Sequence, residues 1–366
     1  MEQNKSIINF GAGPAALPQE VLQSASQAIL NYNYSGLSIL EIPHRGGHLF
    51  DDLLAESKQL VLELTGLNAD EYEVLWLQGG GRLQFAMIPM NFLESTATAG
   101  YIDSGFWAHD AQEHARQYGN VQTLASTRAE NYSSLPSLNT PIAHSLSYVH
   151  YTTNNTIFGT QFSQIPECTV PLFADMSSDI FSEKRDYSCY DLFYAVAQKN
   201  LGAAGVTLVV VKKSMLNKIV RKLPPILDYQ QQAINKSVLN TPPVFGIYVS
   251  LLTLRWIKNQ GIDTIEKNNI AKASLLYDEI DRNSLLMPIV KESDRSKMNV
   301  VFRVLNKDIE QALIAFATQN GIEGIAGHRS VGGFRVSLYN AITLEQVKKF
   351  VSLLQDFEQQ QKNIHS

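Results

Sequence analysis

Short segments made almost wholly of apolar residues, recurring between helical patterns, constrain the fold of this chain more than any other feature. Apolar segments this short are typical of strands buried on both faces, as in a parallel sheet. Four of them lie at 147–151, 170–174, 192–197 and 206–211. Helical patterns precede and follow them, at 19–30, 53–65, 83–93, 108–118 and 246–259. The alternation predicts an α/β fold on a mostly parallel sheet.

The alternation of helical patterns and short apolar segments ends near residue 265. From there on, the sequence predicts two amphipathic helices, at 267–282 and 309–320, and two strands, at 300–304 and 334–338. A chain of 366 residues is long enough for two domains. We therefore predict a smaller α+β domain after the boundary.

Charge and cysteine content exclude several classes of protein. Thirty Lys and Arg against 35 Asp and Glu leave a net charge of -5, so no overall positive field attracts nucleic acid or an anionic membrane. The two cysteines, Cys168 and Cys189, give neither a disulfide framework nor the spacing of a zinc site. The sequence shows no signal segment and no apolar stretch of membrane-spanning length. We expect a cytoplasmic protein that binds no metal, nucleic acid or membrane.

A strand, three glycines and a helix follow one another in VLWLQGGGRLQF, residues 74–85. This order directs backbone N–H groups and the positive end of a helix dipole towards an anion. Gly81 and Arg82 stand at the predicted helix start. The motif lacks the lysine of a P-loop and the spacing of a dinucleotide-binding loop, and a plain tight turn is the alternative interpretation.

Two ionisable residues follow the predicted strands further along the chain. Asp175 comes directly after the segment at 170–174, and Lys199 follows the one at 192–197. Burial at a strand end would lower the pKa of a lysine and favour reaction of its amine with a carbonyl group. Pyridoxal phosphate requires such a lysine, an Asp for its ring nitrogen and a phosphate site. A lysine that only caps a strand is the alternative for Lys199 alone.

Two further residues would complete a site for this cofactor. Trp107, in DSGFWAHD, follows a predicted strand at 101–103 and would stack on the cofactor ring. Thr156, in TTNNTIFG, follows another strand and would hydrogen-bond the ring hydroxyl or the phosphate. A core tryptophan and an ordinary turn residue are the alternatives.

Longer motifs give the sequence a specific resemblance. It resembles the phosphoserine aminotransferase family, within the class V group of fold type I pyridoxal-phosphate enzymes, from Asn9 to Phe357. The motifs are NFGAGPAALP, EIPHRGGHLF, LQGGGRLQFAMIPMN, YIDSGFWA, AQKNLGAAG, LNTPPVF, RSKMNVVF and GHRSVGGFRVSLYNA. The resemblance implies a large cofactor-binding domain at 16–265 and a small α+β domain formed by 1–15 and 266–366.

The resemblance also implies roles for the site residues. Lys199 would bind the cofactor covalently, Asp175 would pair with its ring nitrogen and Trp107 would stack on the ring. The remaining cofactor contacts would come from Gly81, Arg82, Thr156 and Gln198 and, from the partner subunit, Asn240 and Thr241. The resemblance therefore implies a homodimer with composite active sites.

The implied reaction transfers the amino group of L-glutamate to 3-phosphohydroxypyruvate by ping-pong kinetics, giving O-phospho-L-serine for serine biosynthesis. Arginine suits the substrates' anionic groups, because its planar fork binds oxyanions bidentately. The resemblance implies that His44 and Arg45 bind the distal anion, that Arg335 binds the α-carboxylate, and that His328 and Arg329 come from the other subunit. It leaves open 4-phosphohydroxy-threonine as a second substrate.

The sequence departs from the family pattern at three places. Ala12 replaces a frequent serine, Thr153 replaces the proline before the Asn-x-Thr segment, and 183–184 read Glu-Lys where Arg-Pro is common. None of these changes removes a predicted catalytic group, and Ala12 removes one potential hydrogen bond near the substrate.

Three rival functions are weighed against this reaction. A cysteine desulfurase needs a nucleophilic cysteine in the C-terminal half, whereas both cysteines here precede Lys199. An alanine–glyoxylate aminotransferase would not need several phosphate-facing basic residues. A non-catalytic protein that kept the fold would not need Lys199, Asp175 and Trp107 together.

Overall fold

Ten α-helices occur in the part of the chain that the computed structural model describes, residues 7–137, 142, 144–329 and 331–365. They are α1 (Gln19–Leu30), α2 (His48–Thr65), α3 (Gly81–Phe92), α4 (Phe106–Ala115), α5 (Lys213–Leu216), α6 (Tyr229–Ile234), α7 (Val244–Gln260), α8 (Ile262–Arg282), α9 (Glu310–Gln319) and α10 (Leu344–His365).

Twelve strands occur in the same described residues. They are β1 (Ile8–Asn9), β2 (Tyr72–Gln78), β3 (Thr98–Asp103), β4 (Asn120–Ser126), β5 (Val149–Thr152), β6 (Leu172–Asp175), β7 (Leu192–Val196), β8 (Val206–Lys212), β9 (Leu286–Pro288), β10 (Asn299–Val304), β11 (Ile322–Glu323) and β12 (Phe334–Ser337). None of the described helices is both long and apolar enough to cross a lipid bilayer.

A seven-stranded sheet forms the centre of the molecule, in the order β2-β8-β7-β6-β5-β3-β4. Strand β8 runs antiparallel to both of its neighbours, and the other six strands are parallel to one another. The sheet is buried on both faces, with one core cluster against α1, α2 and α7 and another against α3 and α4. The predicted α/β fold with a mostly parallel sheet is confirmed.

The carboxyl ends of the parallel strands bring the predicted site residues to one edge. Asp175 is the last residue of β6, and Lys199 lies three residues after β7. The glycine turn follows β2, Trp107 follows β3, and Thr156 follows β5. These segments converge because parallel strands end on the same side of a sheet.

A third core lies at the C-terminal end of the chain. It packs α8, α9 and α10 against the antiparallel sheet β12-β10-β9 and includes Ile8 and Phe10. Strand β1 joins this region by pairing with β11. The division at residue 265 stays a prediction, which this core supports. Residues 1–6, 330 and 366 of the predicted small domain lie outside the described residues.

The structure differs from the sequence prediction at two places. The segment 123–147 is rich in Ser, Thr, Asn and Pro, a composition that predicts irregular structure, but it contains part of β4; its residues 138–141 and 143 lie outside the described residues. This strand is at the sheet edge and half exposed, so it lacks the apolar pattern of the central strands. The polar composition of residues 358–362 predicts a low-complexity tail, but the segment belongs to α10, whose inner face packs through Phe350, Leu354 and Phe357.

Candidate active site

A cavity of about 260 Å³ lies at the carboxyl edge of the seven-stranded sheet. Its walls come from the segments that follow or end β2, β3, β5, β6 and β7. The lining residues are Gly80, Gly81, Arg82, Phe85, Trp107, Thr152, Asn154, Thr156, Asp175, Ser177, Ser178, Val196, Gln198 and Lys199. The cavity therefore brings together every predicted cofactor residue except Asn240 and Thr241.

Lys199 is held by a short hydrogen bond inside this cavity. Its Nζ donates to Oγ1 of Thr156 at 2.7 Å. Burial lowers the pKa of Lys199 to about 8; the negative charge of Asp175 opposes the shift and the positive charge of Arg335 adds to it. An amine with this pKa is neutral in a large fraction of molecules near pH 8, which makes it a nucleophile and a proton acceptor.

The carboxylate of Asp175 is fixed by the turn that follows it. The backbone N–H of Ser177 donates to Oδ1 of Asp175 at 2.9 Å. The hydroxyl of Ser177 in turn accepts a hydrogen bond from the backbone of Val196, at 3.2 Å. Asp175 is buried, so its charge acts on its neighbours with little screening by water.

Arg82 and Trp107 close the outer side of the cavity. The guanidinium carbon of Arg82 lies 5.0 Å from the centre of the Trp107 ring, and its Nε donates to Asp110 at 2.9 Å. Trp107 also meets Phe106 edge to face at 5.0 Å. Helix α3 begins at Gly81, so its first N–H groups have no acceptor within the helix. The structure thus places a cation, a flat ring and a helix N-terminus beside Lys199.

Arg335 and His328 approach from the C-terminal region. Nη1 of Arg335, on β12, is 3.5 Å from the carbonyl oxygen of Thr156, and its Nε is buried without a hydrogen-bond partner in the described part of the chain. The ring of His328 lies 5.8 Å from that of Phe106, on the same chain as Trp107. Burial lowers the pKa of His328, and Arg335 and Arg329 lower it further. Arg329 is exposed.

Comparison with known proteins assigns the family. The family model for class-V aminotransferases matches residues 7–350. The chain belongs to the class-V aminotransferases. Within them it is 48% identical over 351 residues to the phosphoserine aminotransferase of Flavobacterium psychrophilum, covering 96% of this chain and 98% of that one. It is 42% identical to the enzyme of Bacillus subtilis, with the same coverage.

Solved structures of class-V aminotransferases have the same fold. The phosphoserine aminotransferase of Bacillus circulans subsp. alkalophilus superposes with a TM-score of 0.93 at 41% identity, covering 96% of this chain and 98% of that one. An alanine–glyoxylate aminotransferase of Nostoc sp. reaches 0.75 at 17% identity, covering 97% of this chain and 96% of that one, and shows the fold alone.

Class-V aminotransferases use pyridoxal phosphate, and the residues of this cavity fit it. Oγ1 of Thr152 and Oε1 of Gln198 are buried there without a hydrogen-bond partner among the described residues. Unpaired buried polar atoms are costly, so a polar ligand would compensate them. Lys199 would bind the carbonyl group, Asp175 the ring nitrogen, Trp107 the ring face, and the N-terminus of α3 the phosphate.

Seven predicted site residues of this aminotransferase lie outside the cavity lining: Arg335, His328 and Arg329, described above, and His44, Arg45, Asn240 and Thr241. Arg45 donates to the carbonyl oxygens of residues 238 and 239, at 3.0 and 3.2 Å. Asn240 donates to Gln78 at 2.6 Å, and the Gln78 amide donates to the carbonyl of Thr241. Arg45, Asn240 and Thr241 therefore lie around the segment before α7, beside the end of β2.

The sequence analysis assigned no site role to seven residues that line the cavity of this aminotransferase: Gly80, Phe85, Thr152, Asn154, Ser177, Ser178 and Val196. Each except Phe85, which lies on α3, is at a strand end or within three residues of one. The position of Asp175 at the end of its strand was a signal that would have found Ser177, since the loop after a ligand-bearing strand commonly supplies the groups that orient it.

Proposed function

We propose that the protein transfers the amino group of L-glutamate to 3-phosphohydroxypyruvate, giving 2-oxoglutarate and O-phospho-L-serine for serine biosynthesis. The observation that carries this proposal is the Lys199–Thr156 pair beside Asp175, in a cavity bordered by Arg82 and Arg335. The relatives named phosphoserine aminotransferase support the choice of substrates.

The charges around the cavity suit these substrates. Each substrate carries two anionic groups, and guanidinium groups bind such groups through paired hydrogen bonds. Arg335, whose buried Nε lacks a partner in the described chain, would bind the α-carboxylate. His44 and Arg45 would bind the phosphate or distal carboxylate, with His328 and Arg329 supplied by the other subunit; within its own chain, His328 lies beside Phe106.

Bound pyridoxal phosphate would supply an electron-accepting ring and carry the amino group between the two half-reactions. The side chains of the protein would carry out the proton transfer and hold the reacting groups in position. Lys199 would take the proton from Cα of the amino-acid substrate, and its low pKa suits this role. Thr156 would hold Nζ of Lys199 in position, and Asp175 would keep a proton on the ring nitrogen. Trp107 would exclude water from one face of the ring.

An absorbance experiment tests the proposal. The purified protein with cofactor is expected to lose its visible band when L-glutamate is added and to regain it with 3-phosphohydroxypyruvate. A band that responds to glutamate but not to the phosphorylated acceptor would retain the aminotransferase and exclude this substrate. Absence of any band after cofactor is added would contradict the enzyme assignment.

A homodimer with composite sites completes the proposal. Large apolar side chains are exposed in the segment that precedes Arg45 in the sequence, among them Leu30, Tyr34 and Leu40. Asn240 and Thr241 lie outside the cavity of their own chain, as expected if they serve a partner's cofactor.

Co-expression of a Lys199→Ala chain with an Asn240→Ala/Thr241→Ala chain would test whether the sites are shared between subunits. Shared sites would restore about one quarter of the wild-type activity, because half the dimers are mixed and each has one intact site. Sites within one chain would restore none.

Both cysteines lie away from this chemistry, which disfavours a desulfurase. Cys168 and Cys189 are free and line a separate groove beside Pro171 and Asp191. Burial raises the pKa of both thiols, so neither is an activated nucleophile. Free thiols also support a location in the reducing cytoplasm.

A further inference from the structure

A buried histidine lies behind the site, between two tyrosine rings. His150, on β5, stacks on Tyr101 at 5.1 Å and on Tyr194 at 6.0 Å, with 28° between the planes in each case. Its Nε2 is 3.1 Å from the hydroxyl oxygen of Tyr194. It lines no part of the cavity at Lys199, and none of the roles given above uses it.

Tyr194 connects this histidine to Asp175. The two residues are direct partners in the parallel pairing of β6 with β7, so their side chains stand on the same face of the sheet. After burial itself, the negative charge of the Asp175 carboxylate is the main reason that the pKa of the Tyr194 phenol is raised. Tyr194 is therefore a neutral hydroxyl beside a buried carboxylate.

The chemistry of these groups fixes the direction of the hydrogen bonds. An ionised carboxylate only accepts, so in a hydrogen bond between these two side chains the Tyr194 hydroxyl would be the donor and Asp175 the acceptor. The oxygen of Tyr194 then accepts from His150, which requires a proton on Nε2. Burial lowers the pKa of His150 to about 3, so the ring is neutral and Nδ1 carries no proton. This agrees with a buried Nδ1 that has no hydrogen-bond partner in the described chain, because an unpaired acceptor is tolerated better than an unpaired N–H.

We propose that His150 and Tyr194 are positioning residues for Asp175: Nε2–H of His150 donates to the Tyr194 oxygen, and the Tyr194 hydroxyl donates to the Asp175 carboxylate. With the backbone N–H of Ser177 on Oδ1, the carboxylate is then held by donors from two elements and keeps one orientation towards the cavity. The pair acts on the cofactor only through Asp175, and this role rests on the cofactor site proposed above.

Cofactor affinity tests the relay. Tyr194→Phe removes only the hydroxyl and is expected to weaken the equilibrium binding of pyridoxal phosphate by about tenfold, the scale of a lost hydrogen bond to a charged group. His150→Phe should have a similar effect, whereas His150→Gln, whose side-chain amide offers a donor near the same position, should recover most of the affinity.

Tyr101→Phe is the matched control. It also removes one buried hydroxyl from a ring stacked on His150, but that hydroxyl bonds Tyr148, at 2.9 Å, instead of Asp175. Its affinity should stay within about twofold of the wild type. Equal losses in Tyr194→Phe and Tyr101→Phe would overturn the proposal, since they would show a general packing effect.

A second measurement needs no cofactor. Nitrogen-15 NMR of histidine-labelled apoprotein, with the His150 signal identified by its loss in His150→Gln, should show a neutral ring protonated on Nε2 from pH 5 to pH 9. A proton on Nδ1 or a charged ring would overturn the relay. Failure of the wild type to bind pyridoxal phosphate would instead contradict the proposed function, and the NMR result would still decide the relay.

Discussion

Nζ of Lys199 lies 2.7 Å from the hydroxyl oxygen of Thr156, although 43 residues separate them in the chain. Lys199 follows β7 and Thr156 follows β5, and β6, which carries Asp175 at its end, lies between those strands. The contact therefore spans the strand that carries the carboxylate, so that the amine, the hydroxyl and the carboxylate converge on one cavity.

The ionisation of Lys199 gives the first prediction. In the apoprotein, attachment of pyridoxal phosphate should accelerate with rising pH with a midpoint near 8, because burial favours the neutral amine and only that form reacts. Thr156→Val should move the midpoint lower, since it removes an acceptor that stabilises the ammonium form. Thr156→Ser is the control and should retain the wild-type midpoint. A wild-type midpoint above pH 10 would contradict the burial of the amine.

Replacement of Asp175 by Asn should lower kcat by about a hundredfold or more, the usual effect of losing a preorganised electrostatic contact. The neutral amide cannot stabilise a proton on the ring nitrogen of the bound cofactor. Steady-state kinetics measures the effect. Asp191→Asn, at the opposite end of the neighbouring strand β7, is the control and should keep its turnover. Near-normal turnover in Asp175→Asn would remove Asp175 from the mechanism.

The substrate arginines give a third prediction. Arg335→Ala and Arg45→Ala should each cost about 1.5–3 kcal/mol of substrate binding, or roughly ten- to 150-fold in KM, because each removes a charged hydrogen bond. The exposed Arg116, which directly follows α4 and pairs with Glu113 of that helix, is the control: Arg116→Ala should leave KM unchanged. Unchanged KM values for both substrates would count against the assignment of either arginine.

A buried charge network beside the site gives a stability prediction. Arg185 donates to Asp179 at 2.7 Å and to Glu183 at 2.8 Å, and Lys297 donates to Glu183 at 2.6 Å. Arg185→Met should lower the free energy of unfolding by about 3–5 kcal/mol, because it leaves the charge of Asp179 buried and unpaired. Burial raises the pKa of Asp179 even with Arg185 beside it, although the positive charge of Arg185 acts to lower that pKa.

Denaturant unfolding measures that loss. Arg255→Ala, which removes an exposed pair with Glu56, is the control and should cost only about 0–1 kcal/mol. A similar loss in the two variants would mean that the buried network does not stabilise the fold.

The same network accounts for two departures from the family pattern. The hydroxyl of Thr153 donates to Asp179 and, at 3.1 Å, to the carbonyl of Asp175, bonds that a proline could not make. Glu183 lies between Arg185 and Lys297. Ala12 offers only its carbonyl, which accepts from Tyr339 at 3.0 Å. At two of the three altered places, the side chains of Thr153 and Glu183 therefore form hydrogen bonds or ion pairs within this network.

Most of the candidate site could be predicted from sequence, because its residues follow strands whose patterns are local. Asp175, Lys199 and the glycine turn each adjoin an apolar segment, and the parallel sheet brings such positions to one edge. Helix α1 was predicted with its observed bounds for the same reason, since a 3.6-residue period is readable within one segment.

The tertiary structure decided what depends on pairing between distant segments. The antiparallel direction of β8, the edge position of β4 and the placement of Asn240 beside Gln78 have no local pattern. The alignment of His150, Tyr194 and Asp175 likewise follows from the registers of β5, β6 and β7. Strand register is set by packing across the whole sheet, whereas periodicity and strand-end residues are properties of a single segment. The sequence by itself therefore determined which residues could do the chemistry, and the tertiary structure decided which of them meet.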